Sequence, residues 1–411
     1  MSRQYILGIV LALIAPVANA YPQGAPLTVR AALDEAAARN PELVALRQQY
    51  EAARSVPAQE RFLGPPTLEA QIWGWPITTA NPVRTDMYMF TLEQEIPGRG
   101  KRAARTLVAE RDAELTRQQI AIRANQILGE LRQAYIDLFF TRETFAQYAR
   151  QAKLLDNVAE SATLRYAAGE GVQHHTIVAL VEVANLEKER IAATGRAQAA
   201  EARLNTLLGR PVSQTVEALA PIVATVSPDD VEERALARHP DVAMVAAEVA
   251  REEAELERLR GERRPDFVLG GGYMLIPGEA GSWTARAGIT WPNAPWSRGR
   301  LTAAIETQSK RVDAANARGA VIAAQLRQAV REAVVRLNAA ERHARLIEST
   351  VLPQIEHAFE LTRLAYVTGE GSFSEILDAR RTLLSTQLEY LEARANVTRA
   401  RADLETAAGV L

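Results

Sequence analysis

Two carboxylates near the C-terminal end of the chain have a spacing that suits work on ions. Glu375 and Asp378 are three residues apart, so on a helix their side chains lie on one face. Carboxylates gathered around a narrow passage favour cations and resist anions. A solvated helix face also carries such pairs, and the spacing alone leaves both interpretations open.

One pair of histidines is the candidate for metal binding. His174 and His175 are the only adjacent histidines of the chain, and neutral imidazole is a common metal ligand. Neighbouring side chains on a helix point about 100° apart, so one chain cannot easily turn both rings towards one ion. We therefore expect no metal site. A metal site at His174 and His175 is the alternative.

Two glycine-rich patterns resemble enzyme motifs but differ from them in detail. Gly98 to Lys101 looks like a phosphate-binding loop, yet Arg102 stands where a serine or threonine would bind magnesium. Gly270 to Gly272 lack the spacing of a dinucleotide-binding turn. The chain has no cysteine, which excludes a thiolate nucleophile, a disulfide and a cysteine-based zinc site. We expect no enzyme activity, no catalytic residues and no cofactor.

The charge balance argues against nucleic acid as a partner. The 411 residues include 48 Lys and Arg against 50 Asp and Glu, a formal net charge of −2. Nucleic-acid binders usually carry a basic excess, so we expect none to be bound.

Residues 1–20 have the pattern of a secretory signal. Arg3 supplies the positive start, Ile6 to Pro16 the apolar core, and Ala18-Asn19-Ala20 the small-residue cleavage site. An N-terminal membrane anchor is the alternative, but the apolar run is shorter than the ~20 residues that a spanning helix needs. We expect export and a mature chain from Tyr21, with any membrane span built from strands.

The chain repeats itself. Ala38 to Leu43 recurs as Ala237 to Val242, 199 residues later, and Arg132 to Ala134 recurs as Arg331 to Ala333 at the same offset. Tyr166 instead matches Tyr366 at an offset of 200. The second copy therefore contains one inserted residue, located between Ala333 and Tyr366.

The repeat divides the chain into two structural units of the same element order. The first repeat spans 21–210, a linker spans 211–227, and the second repeat spans 228–411. Each repeat is predicted to contain two strands and a long helical hairpin, about 102–209 in the first and 301–409 in the second. Apolar residues in the hairpins are spaced four, three and four apart, as in a coiled coil. These are Ile127, Leu131, Ala134 and Leu138, with their counterparts Leu326, Val330, Ala333 and Leu337.

Four predicted strands alternate apolar and polar residues. They lie at about 66–75, 86–94, 266–275 and 282–291, and their lengths suit tilted membrane strands of about 9–11 residues. We expect Trp283 and Trp291 near the two membrane interfaces and Arg286 on the polar, pore-lining face. A soluble hairpin packed on a domain is the alternative.

Four strands are too few for a membrane barrel, since the smallest have about eight. An open sheet edge in lipid would leave backbone groups without hydrogen bonds, so several chains must share the barrel. Three chains are favoured over two because only a wider barrel leaves a water-filled lumen.

The repeats resemble the TolC family of outer-membrane efflux proteins over essentially the whole mature chain. The matching motifs are Arg165 to Gly169, Ala365 to Gly369 and Glu375 to Ala379, the last with Glu where the family has Asp. The junction Gln94 to Arg102 resembles members that work with metal-exporting pumps. His175 departs from the family, whose members often have an acidic residue there.

The resemblance implies a mainly α fold with a membrane β-barrel. Three chains would form a twelve-stranded barrel in the outer membrane, continued through the periplasm by helices. The chain would be the passive exit duct of a tripartite efflux or type I secretion system, partnered by a periplasmic adaptor, an inner-membrane transporter and outer-membrane lipid. The alternative is a secreted or periplasmic coiled-coil or adaptor protein without a pore.

The resemblance also assigns roles at the hairpin ends. Glu375 and Asp378 would form the periplasmic gate. The hairpin tips would face the adaptor, and their glycines would reverse the chain by accepting positive φ. The tip residues are Tyr166, Gly169, Gly171, Tyr366, Gly369 and Gly371.

Overall fold

The structure is a computed structural model that describes residues 26–74, 78, 85–169, 171–222 and 231–409. The predicted signal segment 1–20 and most of the second half of the linker lie outside these residues. The helices are α1 Val29–Arg39, α2 Pro41–Gln59, α3 Lys101–Ala167, α4 Gln173–Leu208, α5 Val231–Arg238, α6 Pro240–Gly261, α7 Arg298–Leu346, α8 Leu352–Thr368 and α9 Phe373–Ala407. The strands are β1 Thr67–Trp73, β2 Met87–Ile96, β3 Phe267–Leu275 and β4 Ser282–Ile289.

The chain forms two compact units. One contains Met1–Leu46, Ile122–His239 and Ala324–Leu411, and the other contains Arg47–Ala121 and Pro240–Ala323. Each unit draws segments from both sequence repeats, so the units differ from the repeats 21–210 and 228–411.

The four strands form one antiparallel sheet in the order β1-β2-β3-β4. β2 extends two residues past its predicted end, and β4 ends two residues before its own. The backbone N–H of Thr290 still donates to the carbonyl of Asp266 in the same register, and the chain leaves the sheet where Trp291 begins a turn closed by Ala294. The predicted last residue of β1, Trp75, lies outside the described residues.

The strand register gives the sheet one apolar face. Alternate residues on neighbouring strands are cross-strand partners, so they project from the same side. Nine large apolar side chains on this side are exposed to solvent in the single chain: Leu68, Ile72, Phe90, Leu92, Phe267, Leu269, Leu275, Trp283 and Ile289. A contiguous apolar surface of this extent marks an interaction with lipid or protein.

The helical hairpins are held by the predicted apolar seam. All eight seam residues are buried, from Ile127 to Leu138 in the first repeat and from Leu326 to Leu337 in the second. Nearer the hairpin ends, a second cluster joins both hairpins. Its buried members include Leu155, Leu186, Phe359, Phe373 and Leu377.

The inserted residue of the second repeat coincides with a widened helical turn. Between α7 and α8, Ile347–Val351 form a π-helical turn in which the N–H of Leu352 donates to the carbonyl of Ile347, five residues back. Pro353 follows and has no N–H to donate to the preceding turn. In the first repeat Lys153 occupies the matching position and α3 is continuous from Lys101 to Ala167. A single π-helical turn accommodates one extra residue within a helix.

No helix among the described residues is both long enough and apolar enough to cross a lipid bilayer.

Candidate functional site

The two helical hairpins turn in the same way at their ends. Gly169 and Gly369 have φ of 77° and 84°, a left-handed conformation that glycine accepts without a Cβ clash. The expectation of positive φ is wrong for Gly171 and Gly371, which lie outside that region. Those two are needed for space, because a Cβ at either would lie 3.0 Å from the backbone nitrogen of Tyr166 or Tyr366.

The two tip tyrosines have different surroundings. Tyr366 is 7% exposed, whereas Tyr166 is 46% exposed. Arg165 covers Tyr366: its guanidinium carbon lies 4.6 Å from the ring centroid, and its Nη2 donates to the Tyr366 carbonyl at 3.1 Å. The end of α3 is thereby fixed to the end of α8, and Tyr166 is left on the surface.

His175 packs against an aromatic ring of the other hairpin. Its ring stacks on Phe373 with centroids 4.8 Å apart and planes at 18°, and the His174 ring centroid lies 6.3 Å away from it. Within the part of the chain that the structure describes, no three potential ligand side chains form a metal-binding group. The local role of His175 is therefore packing between the two tips.

Glu375 closes the N-terminus of α9. Its carboxylate accepts the backbone N–H of Ser372 at 2.9 Å, and the Ser372 hydroxyl accepts the N–H of Glu375 at 3.2 Å. This reciprocal pair is a capping box. The matching position in the first hairpin is Val172, which gives α4 no side-chain cap.

Asp378 has a cationic partner in the same helix. Its Oδ1 lies 3.1 Å from Nη1 of Arg381. Nη2 of Arg381 also donates to Glu182 on α4, so the arginine connects the two helices. The hydrogen bond from Arg381 holds the pKa of Glu182 below its ordinary value.

Arg380 is buried beneath this network. Its side chain is 4% exposed and lies 3.6 Å from Glu182, while its Nε and Nη1 have no hydrogen-bond partner among the described atoms. Burial lowers the pKa of Arg380, since a low-dielectric environment disfavours the charge. Arg380 and Arg381 therefore offset the charges of Glu182 and Asp378 at this end of the chain.

The sheet carries a second polar arrangement. Arg286 projects from the face opposite Trp283, and its Nη1 lies 3.1 Å from Oε2 of Glu93. Trp283 is 82% exposed on the apolar face and contacts Tyr273 with ring centroids 4.9 Å apart. Trp291 lies just beyond β4 and packs edge-on against Trp296.

A buried lysine joins the start of α3 to the segment before β3. Lys101 is 1% exposed, and its Nζ lies 2.9 Å from Glu262 and 2.7 Å from Asp266. Asp266 also accepts the backbone N–H of Gly98 at 2.7 Å. Burial alone would raise the pKa of Asp266, but the hydrogen bonds from Lys101 and Gly98 outweigh it and the pKa is lowered.

Comparison with known proteins finds similarity to outer-membrane efflux proteins. Residues 231–410 match the model of the outer membrane efflux protein family. The chain is 28% identical over 370 residues to the cobalt-zinc-cadmium resistance protein CzcC of Cupriavidus metallidurans, covering 89% of this chain and 86% of that protein. The chain is therefore similar to outer-membrane efflux proteins.

Solved structures of outer-membrane channels show the same fold as this chain. The crystal structure of CusC matches with a TM-score of 0.77 at 15% identity, covering 92% of this chain and 91% of that one. The outer membrane protein VceC of Vibrio cholerae matches with a TM-score of 0.74 at 16% identity, covering 93% and 96%. The predicted TolC-like fold is therefore confirmed.

Three charged residues of the hairpin ends were missed in the sequence: Glu182, Arg380 and Arg381. The two arginines follow Asp378-Ala379 directly, so their opposing charge was visible there. Glu182 could not be found in this way, because it lies 199 residues from Arg381 and meets it only through packing of α4 on α9.

Proposed function

We propose that this chain is the passive exit duct of a tripartite efflux or type I secretion system. Three copies form a twelve-stranded barrel in the outer membrane, with four strands from each chain. The two repeats each contribute two strands and one helical hairpin, and 211–227 links them. The duct has no catalytic role, and the transporter in the inner membrane supplies the energy.

One observation supports this proposal above the others: the four-stranded sheet has an exposed apolar face and, among the described residues, two unpaired edges. In lipid such edges would leave backbone N–H and C=O groups without hydrogen bonds. Pairing of β4 with β1 of a second copy satisfies them and continues the antiparallel order. A coiled-coil protein without a pore would have no use for such a sheet.

The hairpin ends are proposed as the periplasmic entrance. Glu375 and Asp378 of three chains would surround the gate. Arg381, which pairs with Asp378, would offset part of their negative charge. The exposed Tyr166 and the glycine turns at Gly169 and Gly369 would meet the adaptor. Trp283 and Trp291 would mark the two membrane interfaces.

Metal cations are the proposed cargo. The supporting observation is the similarity to CzcC, named for cobalt, zinc and cadmium resistance. Deletion of the gene should lower growth on these metals, and complementation should restore it. Unchanged growth on all three would argue for a different cargo without affecting the duct itself.

The duct is tested by reconstitution of the purified chain in planar bilayers. We expect discrete conductance steps from a trimeric species that also fractionates with the outer membrane. A water-soluble monomer without conductance would contradict the proposal and favour the alternative of a secreted or periplasmic structural protein.

A further inference from the structure

All charged side chains of the four strands lie on one face of the sheet. They are Glu69, Glu93, Glu95 and Arg286. The register pairs Glu93 with Thr67 and Gly270, and Gly270 in turn with Arg286. Glu69 and Glu95 lie two positions either side of this row, so they project from the same side.

A glycine allows the one cation to reach its anion. Arg286 and Glu93 lie on β4 and β2, two strand spacings or about 9–10 Å apart. Gly270 on β3 lies between them, and a Cβ built there would be 3.7 Å from the Cβ of each. Without a side chain at this position, the Arg286 guanidinium extends over β3 to Glu93.

The ion pair contributes little to stability but determines the charge of the face. Arg286 is 75% exposed and Glu93 37%, and exposed pairs contribute only about 0–1 kcal/mol. Arg286 offsets one of three carboxylates, which leaves a net charge of −2 on this face of each chain. Carboxylate-lined passages favour cations, and the field is stronger between low-dielectric walls.

We propose that this face is a charge filter of the duct, separate from the hairpin-end carboxylates, and that Arg286 is its specificity-determining residue. The inference rests on the proposed function, in which the polar face lines the lumen. The filter prefers cations, and Arg286 moderates that preference by pairing with Glu93. Its substrate class is small hydrated cations.

Reversal potentials of the reconstituted duct in a KCl gradient test the filter. Arg286→Gln should shift the reversal potential towards the potassium equilibrium value, and Glu93→Gln should shift it the opposite way. The charge swap Glu93→Arg with Arg286→Glu keeps both the pair and the net charge, so it should leave the wild-type value. Glu69→Gln, outside the pair, should act in the same direction as Glu93→Gln.

A duct variant with Glu375→Ala and Asp378→Ala separates the contribution of the sheet face to cation preference from that of the hairpin-end carboxylates. It should keep part of its cation preference, because the sheet is intact. Conducting channels whose reversal potential is unmoved by Arg286→Gln, Glu93→Gln and Glu69→Gln would overturn the filter and leave the duct standing. A wild-type protein without conductance would instead overturn the proposed function on which the filter depends.

Discussion

Lys101 Nζ lies 2.7 Å from the Asp266 carboxylate, although the two residues are 165 positions apart in the chain. The lysine begins α3, and the aspartate directly precedes β3. Glu262 completes the group at 2.9 Å. One buried cation therefore fixes the point where the second strand of the first repeat passes into its long helix.

Replacement of this lysine should be costly. Lys101→Met leaves two partly buried carboxylates without their cation, and we expect a loss of about 2–4 kcal/mol. A fully buried pair would lose about 3–5 kcal/mol, and here the carboxylates keep some exposure. Urea unfolding of the detergent-solubilised protein measures the change. Arg300 is the repeat counterpart and is exposed, so Arg300→Met is the matched control, and equal losses in both variants would contradict this role.

Glu182 should make the free energy of unfolding depend on pH in the acidic range. Its pKa is lowered in the folded protein by the hydrogen bond from Arg381, so its contribution is present above the unfolded value of about 4.3. That contribution is lost as the pH falls through the lower folded pKa. Unfolding free energies measured from about pH 6 downwards should fall less steeply below about pH 4.3 for Glu182→Gln than for the wild type. Parallel pH profiles would show that the ion pair does not contribute.

The start of α9 should depend on its cap. Ser372→Ala removes the hydroxyl that accepts the Glu375 N–H, and N-cap losses are typically about 1 kcal/mol. Hydrogen exchange of residues 373–377 should accelerate accordingly. The first hairpin offers the reverse test, because Val172→Ser would add a hydroxyl where α4 has no side-chain cap. That variant should slow exchange at 173–177; a faster rate there would count against the capping argument.

The π-helical turn should open more readily than its counterpart. Its hydrogen bond spans five residues and Pro353 donates none to the turn before it. We expect faster amide exchange over 347–352 than over 147–152, where α3 is regular. Tyr390 Oη donates to Glu348 at 2.7 Å, so Tyr390→Phe should widen the difference. Equal protection of the two segments would refute the prediction.

The structural features that follow from periodic residue spacing could be predicted from the sequence. Alternation placed Trp283 and Arg286 on opposite faces of β4, and the seam from Ile127 to Leu138 was identified from its spacing. The change of offset between the repeats also located the extra residue, although not the π-helical turn that absorbs it. These features are local, so they leave a pattern in the chain itself.

Contacts between distant elements left no such pattern. In the sequence Lys101 belonged only to an incomplete phosphate-binding motif. Its ion pair with Asp266 is apparent only in the structure. Glu375 and Asp378 looked like free carboxylates, but one caps α9 and the other pairs with Arg381. These pairs depend on which face of each helix packs against another helix. Contacts between residues far apart in the sequence determine that face.

The central claim is that the edges of the sheet are completed by copies of the same chain. Because the chain has no cysteine, introduced pairs report unambiguously. Each variant carries one cysteine at Glu69 on β1 and a second cysteine at Thr284, Arg286 or Gly288 on β4. In outer-membrane preparations, the variant whose two cysteines are in register across the interface should cross-link neighbouring chains. We predict dimer and trimer bands and nothing larger. Monomers alone at every position, or a ladder beyond three chains, would contradict the closed trimeric barrel.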